Sequence, residues 1–554
     1  MKYWFFALVL GLGSFKLATA SFEGGEFKSQ GGIPNVVFVL ADDMGWGSAS
    51  YQAEDSKQFQ PGAGGTKWVP DPAHTPNLDS MAKSKNSFRF DRFYAGSAVC
   101  SPTRSSILSG RTPNRECITG VEGCGQEPAW SCADNLPFPP TTFTVAEAAK
   151  RANMSTLFVG KWHLGNFFPK PSIAKKNFVN DKWPVSHPGM HGFDEWMATE
   201  ASASSSMCNC GCKPEWVEEG EGCVIGGGKF QHHSYNCTNY WMQRPHNETS
   251  HLQCRTPEST LPCVTNYTEK IPGDDSMFIL DKFEDFLKRR DKNKPFLTLL
   301  FLHTVHQPHP AMPEYYFAYN DTYGNPAGDY LGTLTQMDAA IGRLRRMLSS
   351  MPNTMLWFTS DNGPHPSNPG GLKDVRQATN GLRQCKQSLF EGGIRVPGIV
   401  EWPAKIKKHK NISIPVTTMD FLPTLLDAIN VPHEHPEWHK DGESLLRLLN
   451  GDDNFKRTSP IGFTLGGQTA MIDASGRFKA VLAPEKGMCD MEAHPKYKIS
   501  KNGVLVFDLF EDPTETTPIV DQAIISEMTM QMEQWKSTIK ESAMYESQCM
   551  PKSK

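Results

Sequence analysis

The chain of 554 residues carries little net charge, with 56 basic against 60 acidic side chains. It therefore lacks the electrostatic footprint expected for nucleic acid or an anionic membrane as partner. Beyond the first twenty residues no stretch stays apolar for the roughly 20 positions that a membrane-spanning helix requires. Internal repeats and low-complexity tracts are missing too, which excludes solenoid and fibrous architectures. Hydrophobic residues are not in deficit: 38% hydrophobic and 21% charged is an ordinary globular composition. With 46 glycines and 41 prolines, the chain is also rich in the residues that make turns.

At the front, Lys2, the apolar run 4–10 and the ending Ala18-Thr19-Ala20 form the pattern of a cleavable secretory signal over residues 1–20. Its apolar run is too short for an anchor. Secretion makes the sequons at Asn153, Asn236, Asn247, Asn266, Asn320 and Asn411 candidate glycosylation acceptors.

Residues 35–41 (Asn-Val-Val-Phe-Val-Leu-Ala), 296–302 and 355–359 are continuous apolar runs, the pattern of strands buried on both faces of a largely parallel sheet. Between them, Leu334, Met337, Ile341, Leu344 and Leu348 recur at helical steps, and so do Ile279, Phe283, Phe286 and Leu287. Strands alternating with helices predict an α/β fold, a mostly parallel sheet between helical layers. A polar, cysteine-rich stretch at 201–273 reads as an insert, and 432–456 as a loop-rich connection. From 457 onward, strand-like runs at 478–482 and 504–509 precede a helical tail around 527–540. The expected organisation is a catalytic domain over 33–456 and a smaller α+β domain over 457–554. That is fewer domains than the length alone suggests.

Each apolar run ends in polar residues: Asp42-Asp43 after the first, His303 and His306 after the second, Asp361-Asn362-Gly363 after the third. Ligands of open α/β sheets collect at such strand ends. Taken singly, Asp42-Asp43 reads as a helix cap and Asp361-Asn362-Gly363 as a turn. Their shared position favours a site. Three carboxylates and an amide oxygen suit a hard cation, Ca²⁺ or Mg²⁺.

Residues 100–110 read Cys-Ser-Pro-Thr-Arg-Ser-Ser-Ile-Leu-Ser-Gly. The stretch resembles the sulfatase signature C-x-P-x-R-x-x-x-L-[ST]-G at every fixed position. Gly160-Lys161-Trp162-His163-Leu164-Gly165 is similar to the family's second signature. Residues 382–386 with 391–397 look like its lysine-bearing segment, and 74–79 and 507–513 like structural stretches of the same family. The resemblance runs from Asn35 to Pro513. It implies an alkaline-phosphatase-like α/β architecture and hydrolysis of sulfate monoesters, of an aryl or a carbohydrate alcohol. It implies that Cys100 is oxidised to formylglycine by the formylglycine-generating enzyme during secretion. Ca²⁺, ahead of Mg²⁺, would lie between Asp42, Asp43, Asp361, Asn362 and the residue at 100. Arg104 and Lys161 would hold that residue, and Lys386 and His306 would meet the substrate sulfate. His163 would take the proton of the second hydroxyl. The family's histidine precedes x-Pro, which selects His306 over His303. The implied location is the secretory pathway, ending in the lysosome or outside the cell. A phosphatase or phosphonate-type hydrolase on the same scaffold is the rival activity, and a non-catalytic matrix glycoprotein the rival of another class.

Fourteen cysteines look like an even set for disulfides, but assigning Cys100 to chemistry leaves an odd number. Residues 208–212 (Cys-Asn-Cys-Gly-Cys) suit a disulfide-stapled loop better than a zinc cluster in an oxidising compartment. His232, His233, Tyr235, Tyr240 and Trp241 either contact substrate or cover the insert's own small core. Cys385, beside Lys386, is expected to pair with Cys489 or Cys549.

Overall fold

The computed structural model describes residues 32–55, 73–121, 137–165, 167, 185–200, 224–225, 228–229, 240–243, 264–266, 274–306, 309, 311–323, 327–366, 376–482, 489 and 503–542. The expected signal at 1–20, the cysteine cluster at 208–212, Cys549, His232, His233, Tyr235 and the sequons at Asn236 and Asn247 lie outside the described residues.

Ten strands form the main sheet: β1 (Asn35–Ala41), β2 (Ser87–Phe90), β3 (Ser155–Lys161), β4 (Glu195–Thr199), β5 (Tyr240–Gln243), β6 (Val264–Asn266), β7 (Phe296–Phe301), β8 (Thr354–Ser360), β9 (Gly398–Glu401) and β10 (Lys410–Ile412). Their spatial order is β10-β2-β9-β8-β1-β7-β3-β4-β5-β6. The central five, β8-β1-β7-β3-β4, run parallel. The three apolar runs read from the sequence are β1, β7 and β8, side by side at the centre. Their side chains are buried on both faces, as a sheet covered by two helical layers requires.

Alternation along β1 feeds two cores. Val36, Phe38 and Leu40 face the layer of helices α1 (Cys100–Ser109), α2 (Val145–Arg151) and α5 (Phe421–Ile429). Val37, Val39 and Ala41 face α3 (Ser276–Arg289) and α4 (Ala327–Leu348). In the first core Phe38 packs against Trp357 and Phe421, with ring centroids 6.1 and 4.5 Å apart.

The stretch at 201–273 reads in the sequence as an insert, yet β5 and β6 come from it and extend the main sheet antiparallel, with β6 at its edge. Both strands are short, four and three residues, too short to show a burial period in the sequence. Within 432–456 the chain forms one short helix, Leu446–Leu449, between loops.

A separate antiparallel sheet follows: β11 (Ile461–Leu465), β12 (Gln468–Ile472), β13 (Phe478–Leu482) and β14 (Val504–Asp508). One face, with Phe463, Ile472 and Phe507, packs on Tyr94, Leu389, Phe390 and Met419 of the main body. The other, with Met471, Ala480 and Val506, is covered by Met528, Met532 and Trp535 of α6 (Gln522–Glu541). That helix is longer than the tail read from the sequence.

Among the described residues no helix is long and apolar enough to cross a membrane. Cys385 and Cys489 are disulfide-bonded, with Cα atoms 5.9 Å apart. Cys489 is thus the partner among the two expected. Cys117 is also disulfide-bonded, and Cys100 is the free cysteine among the described residues.

Candidate active site

The site is assembled where four parallel strands end. β1 delivers Asp42 and Asp43, β8 delivers Asp361 and Asn362, and β7 leads into the turn of His303 and His306. β3 ends on Lys161. Helix α1 brings Cys100 as its first residue, followed by Pro102 in the first turn and closed by Gly110 at φ 67°. Proline at the start and a left-handed glycine after the end are the punctuation a short helix needs. All ten residues of α1 are buried although many are polar. Their hydroxyls are satisfied locally: Ser105 donates to the Pro102 carbonyl (2.7 Å), Ser106 to Thr103 (2.7 Å) and Ser109 to Ser105 (2.9 Å).

Asp42, Asp43, Cys100 and Asp361 each place a ligand-capable atom within 4.8 Å of one another, all buried. Cations surround them. Arg104 donates to Asp361 Oδ2 (2.7 Å) and to the Lys161 carbonyl (2.7 Å), and lies 3.3 Å from Asp42 Oδ2. Lys161 donates to Asp42 Oδ2 (2.5 Å). Lys386 donates to Asp43 Oδ1 (2.5 Å) and lies 3.4 Å from Cys100 Sγ. His306 Nε2 is 3.7 Å from Asp43 Oδ2. The Asp43 amide donates to Asp361 Oδ1 (3.1 Å), which ties the ends of β1 and β8 together.

Glycines let the carrying loops touch. A Cβ on Gly363 would meet the Gly392 carbonyl at 1.9 Å, and one on Gly392 would meet the Gln384 carbonyl at 2.1 Å. The loop of Asp361 and Asn362 and the loop of Lys386 therefore pack backbone to backbone.

Burial opposes ionisation of Asp42, yet Lys161, His306, Arg104 and Lys386 hold its carboxyl well below the usual carboxylate range. Asp43 is likewise lowered against its burial, chiefly by Lys386 and His306. Asp361 moves the other way, raised by burial and by Asp42 beside it. Burial, with Asp361 and Asp42 adjoining, also pushes the Cys100 thiol up. Left as a thiol, it would be a poor nucleophile. Burial brings His306 down to about 4.

The donor set fits a hard cation. Three carboxylates converge, and Asn362 Oδ1 is buried without a hydrogen-bond donor while its Nδ2 serves Asp43 Oδ1 (2.6 Å) and the Gly363 carbonyl (2.8 Å). A buried oxygen left unpaired is costly unless a cation or an unseen donor meets it.

His163 is fixed through its backbone. It sits at φ 57° two residues past Lys161, and its N–H donates to the Glu200 carbonyl (3.1 Å). His303 lies apart from the carboxylates, with its ring between Asp275 and Thr199. His365 belongs to the surroundings and was not singled out in the sequence: burial lowers it, and it feels Asp43 and Lys386. Its one signal is its place three residues after Asn362.

A family model described as Sulfatase matches residues 34–431. The chain belongs to the sulfatase family. Among its relatives, arylsulfatase G of Rattus norvegicus is 25% identical over 507 residues, covering 88% of this chain and 82% of the relative. Steryl-sulfatase of Mus musculus is 26% identical, covering 88% and 79%. N-acetylgalactosamine-6-sulfatase of Canis lupus familiaris is 26% identical, covering 88% and 81%. The fold is shared with the crystal structure of Ps i-CgsB, at a TM-score of 0.63 and 19% identity over 94% of this chain and 98% of that one. It is also shared with the PsFucS1 sulfatase from Pseudoalteromonas sp., at 0.59 and 18% over 92% and 91%. As a member of the sulfatase family, the chain is a sulfuric ester hydrolase, and its acidic cluster can hold a metal ion.

Proposed function

We propose that this sulfatase cleaves sulfate monoesters of aryl or carbohydrate alcohols with a formylglycine made from Cys100 and a Ca²⁺ ion held by Asp42, Asp43, Asp361, Asn362 and the residue at 100. The observation that carries the reading is the position of Cys100. It is the buried first residue of α1, its sulfur within 4.8 Å of an oxygen on each of three carboxylates and 3.4 Å from Lys386 Nζ. The names of the relatives, spanning aryl, steryl and amino-sugar sulfates, support the substrate class.

When bound, the calcium ion supplies positive charge to sulfate oxygens and lowers the pKa of an oxygen nucleophile. The hydrate of formylglycine supplies that oxygen and a second hydroxyl, which neither serine nor cysteine has. The chain's own residues do the rest. Asp42, Asp43 and Asp361 are matched by Arg104, Lys161 and Lys386. A divalent ion added to this balanced set leaves the site positive, as an anionic ester requires. Arg104 and Lys161 fix the carboxylates beside residue 100. Lys386 and His306, both at Asp43, receive the sulfate, and one of them delivers a proton to the leaving oxygen. His163 would take the proton of the second hydroxyl, so that the carbon–oxygen bond to sulfate breaks, sulfate leaves and the aldehyde at residue 100 re-forms.

The disulfide Cys385–Cys489 supports folding in an oxidising compartment. We place the protein in the secretory pathway, with the formylglycine-generating enzyme as a transient partner and the lysosome or the cell exterior as destination. The test is a peptide mass across residue 100 together with parallel turnover of nitrophenyl sulfate and nitrophenyl phosphate. Formylglycine at 100 and preferential sulfate turnover are expected. An unmodified cysteine in active protein, or faster phosphate turnover, overturns the proposal.

A further inference from the structure

His303 stands beside the reacting groups without joining them. It is 3% exposed, with Nδ1 2.7 Å from Asp275 Oδ2 and Nε2 2.8 Å from Thr199 Oγ1. A carboxylate only accepts, so Nδ1 is the donating nitrogen and Nε2 meets the hydroxyl. The Tyr240 hydroxyl donates to the same Asp275 oxygen (2.5 Å), and its ring lies edge-on to His303 with centroids 6.0 Å apart. Next door, Asp274 accepts from Thr304 Oγ1 (2.5 Å) and from the Ser276 amide (2.9 Å). Buried polar groups directed to one another in this way form a network that holds its members in one arrangement.

Both ends of the network hold parts of the site. The Thr199 carbonyl accepts from the Trp162 amide and the Glu200 carbonyl from the His163 amide, each at 3.1 Å. The end of β4 therefore sets the turn that carries Lys161 and His163. On the other side the His303 carbonyl accepts from the His306 amide (2.8 Å), the Thr304 carbonyl from the Asp42 amide (2.8 Å), and the Val305 amide donates to the Asp42 carbonyl (2.7 Å). Three site-bearing segments hang on one buried bracket.

We infer that Asp275, His303 and Thr199 are positioning residues for sulfate ester hydrolysis, fixing the turn of His163 against the turn of His306 and Asp42. The inference rests on the roles proposed above for those residues. Thr199→Val removes the hydroxyl while keeping the branched shape, and Thr199→Ser keeps the hydroxyl. With nitrophenyl sulfate, kcat of Thr199→Val is expected to fall about 10–100-fold, the cost of a displacement near 1 Å. KM should stay within about twofold, since binding is not what is lost. Amide exchange should quicken in the peptide covering 161–165, and Thr199→Ser should recover kcat to within about threefold of wild type. Formylglycine content at residue 100 is measured in every variant, so that a loss of modification is not read as a loss of position. A Thr199→Val enzyme with wild-type kcat overturns the inference. So does one whose kcat loss is not rescued by serine. If Thr199→Val does not accumulate, Tyr240→Phe removes one hydrogen bond from Asp275 and keeps the ring, and an unchanged kcat there overturns the inference equally. Failure of the underlying reading shows elsewhere, as wild-type protein without formylglycine or with faster phosphate turnover.

Discussion

Asn362 shows what a single side chain can report. Its amide nitrogen is committed to Asp43 and Gly363, and its oxygen is buried without a donor. If that oxygen is a calcium ligand, Asn362→Ala should weaken calcium binding by about 10–100-fold, a loss of the size found when a metal site is disturbed. Calcium titration of EDTA-treated protein, followed by the rise in Tm, measures it; an unaltered titration would remove Asn362 from the ligand set. The convergence of this residue with Asp42, Asp43 and Asp361 was legible in the sequence. Apolar strands that end in carboxylates leave few other reasons for those carboxylates. Lys386 was legible only through resemblance, because a lone lysine in a loop has no pattern of its own, and resemblance was also what set His306 apart from His303. The bracket of Asp275, His303 and Thr199 was not legible at all. Its members lie at 199, 275 and 303, and only the fold makes them neighbours.

At the scale of elements, β1, β7 and β8 were readable because burial on both faces forces continuous apolar runs. Helix α1 was not readable by periodicity: with every residue buried there is no polar face to contrast. Strands β5 and β6 escaped for a different reason: four and three residues are too few to show a period, even where β5 reads Tyr-Trp-Met-Gln. Strand β13 carries a feature that pattern reading also passes over. Lys479 is fully buried and bridges Glu391 and Glu515, 2.9 Å from each. The Glu391 amide donates to Glu515 Oε2 (2.7 Å), and Arg383 to the Glu515 carbonyl (2.8 Å). This joins the second sheet to the loop of Lys386. Lys479→Met would strand two carboxylates in the interior and is expected to cost about 3–5 kcal/mol, read as a lower denaturant midpoint with partial loss of kcat. A midpoint unchanged from wild type would show the bridge to be energetically neutral.

For the whole molecule the same carboxylates set a pH dependence. Burial, against the pull of Lys479, raises Glu515 from 4.5 to about 7, and burial with Asp275 alongside raises Asp274 from 3.8 to about 6. Groups raised in the folded state favour folding below their unfolded values and lose that contribution as pH climbs through the folded ones. Glu391 and Asp441, lowered in the fold by Lys479 and Arg115 against their burial, act oppositely and lose their contribution only as pH falls below the usual carboxylate range. Stability from these groups should therefore peak in mildly acid solution, with Tm higher by about 1–3 °C near pH 5 than near pH 8. Glu515→Gln should flatten that slope. A Tm that rises steadily toward pH 8 would contradict the assignment.

Cys100 is 1% exposed, and the nine residues after it in α1 are buried as well. If Cys100 is the residue converted to formylglycine, that burial is a deadline for the modifying enzyme. On that reading the sulfur and its neighbours would have to be reached in an open chain, so oxidation would come before the sheet closes over them. A molecule that folds first is sealed with its thiol and has no later opportunity. The active fraction of a preparation would then be set before folding is complete, and handling the folded protein would lower it but not raise it.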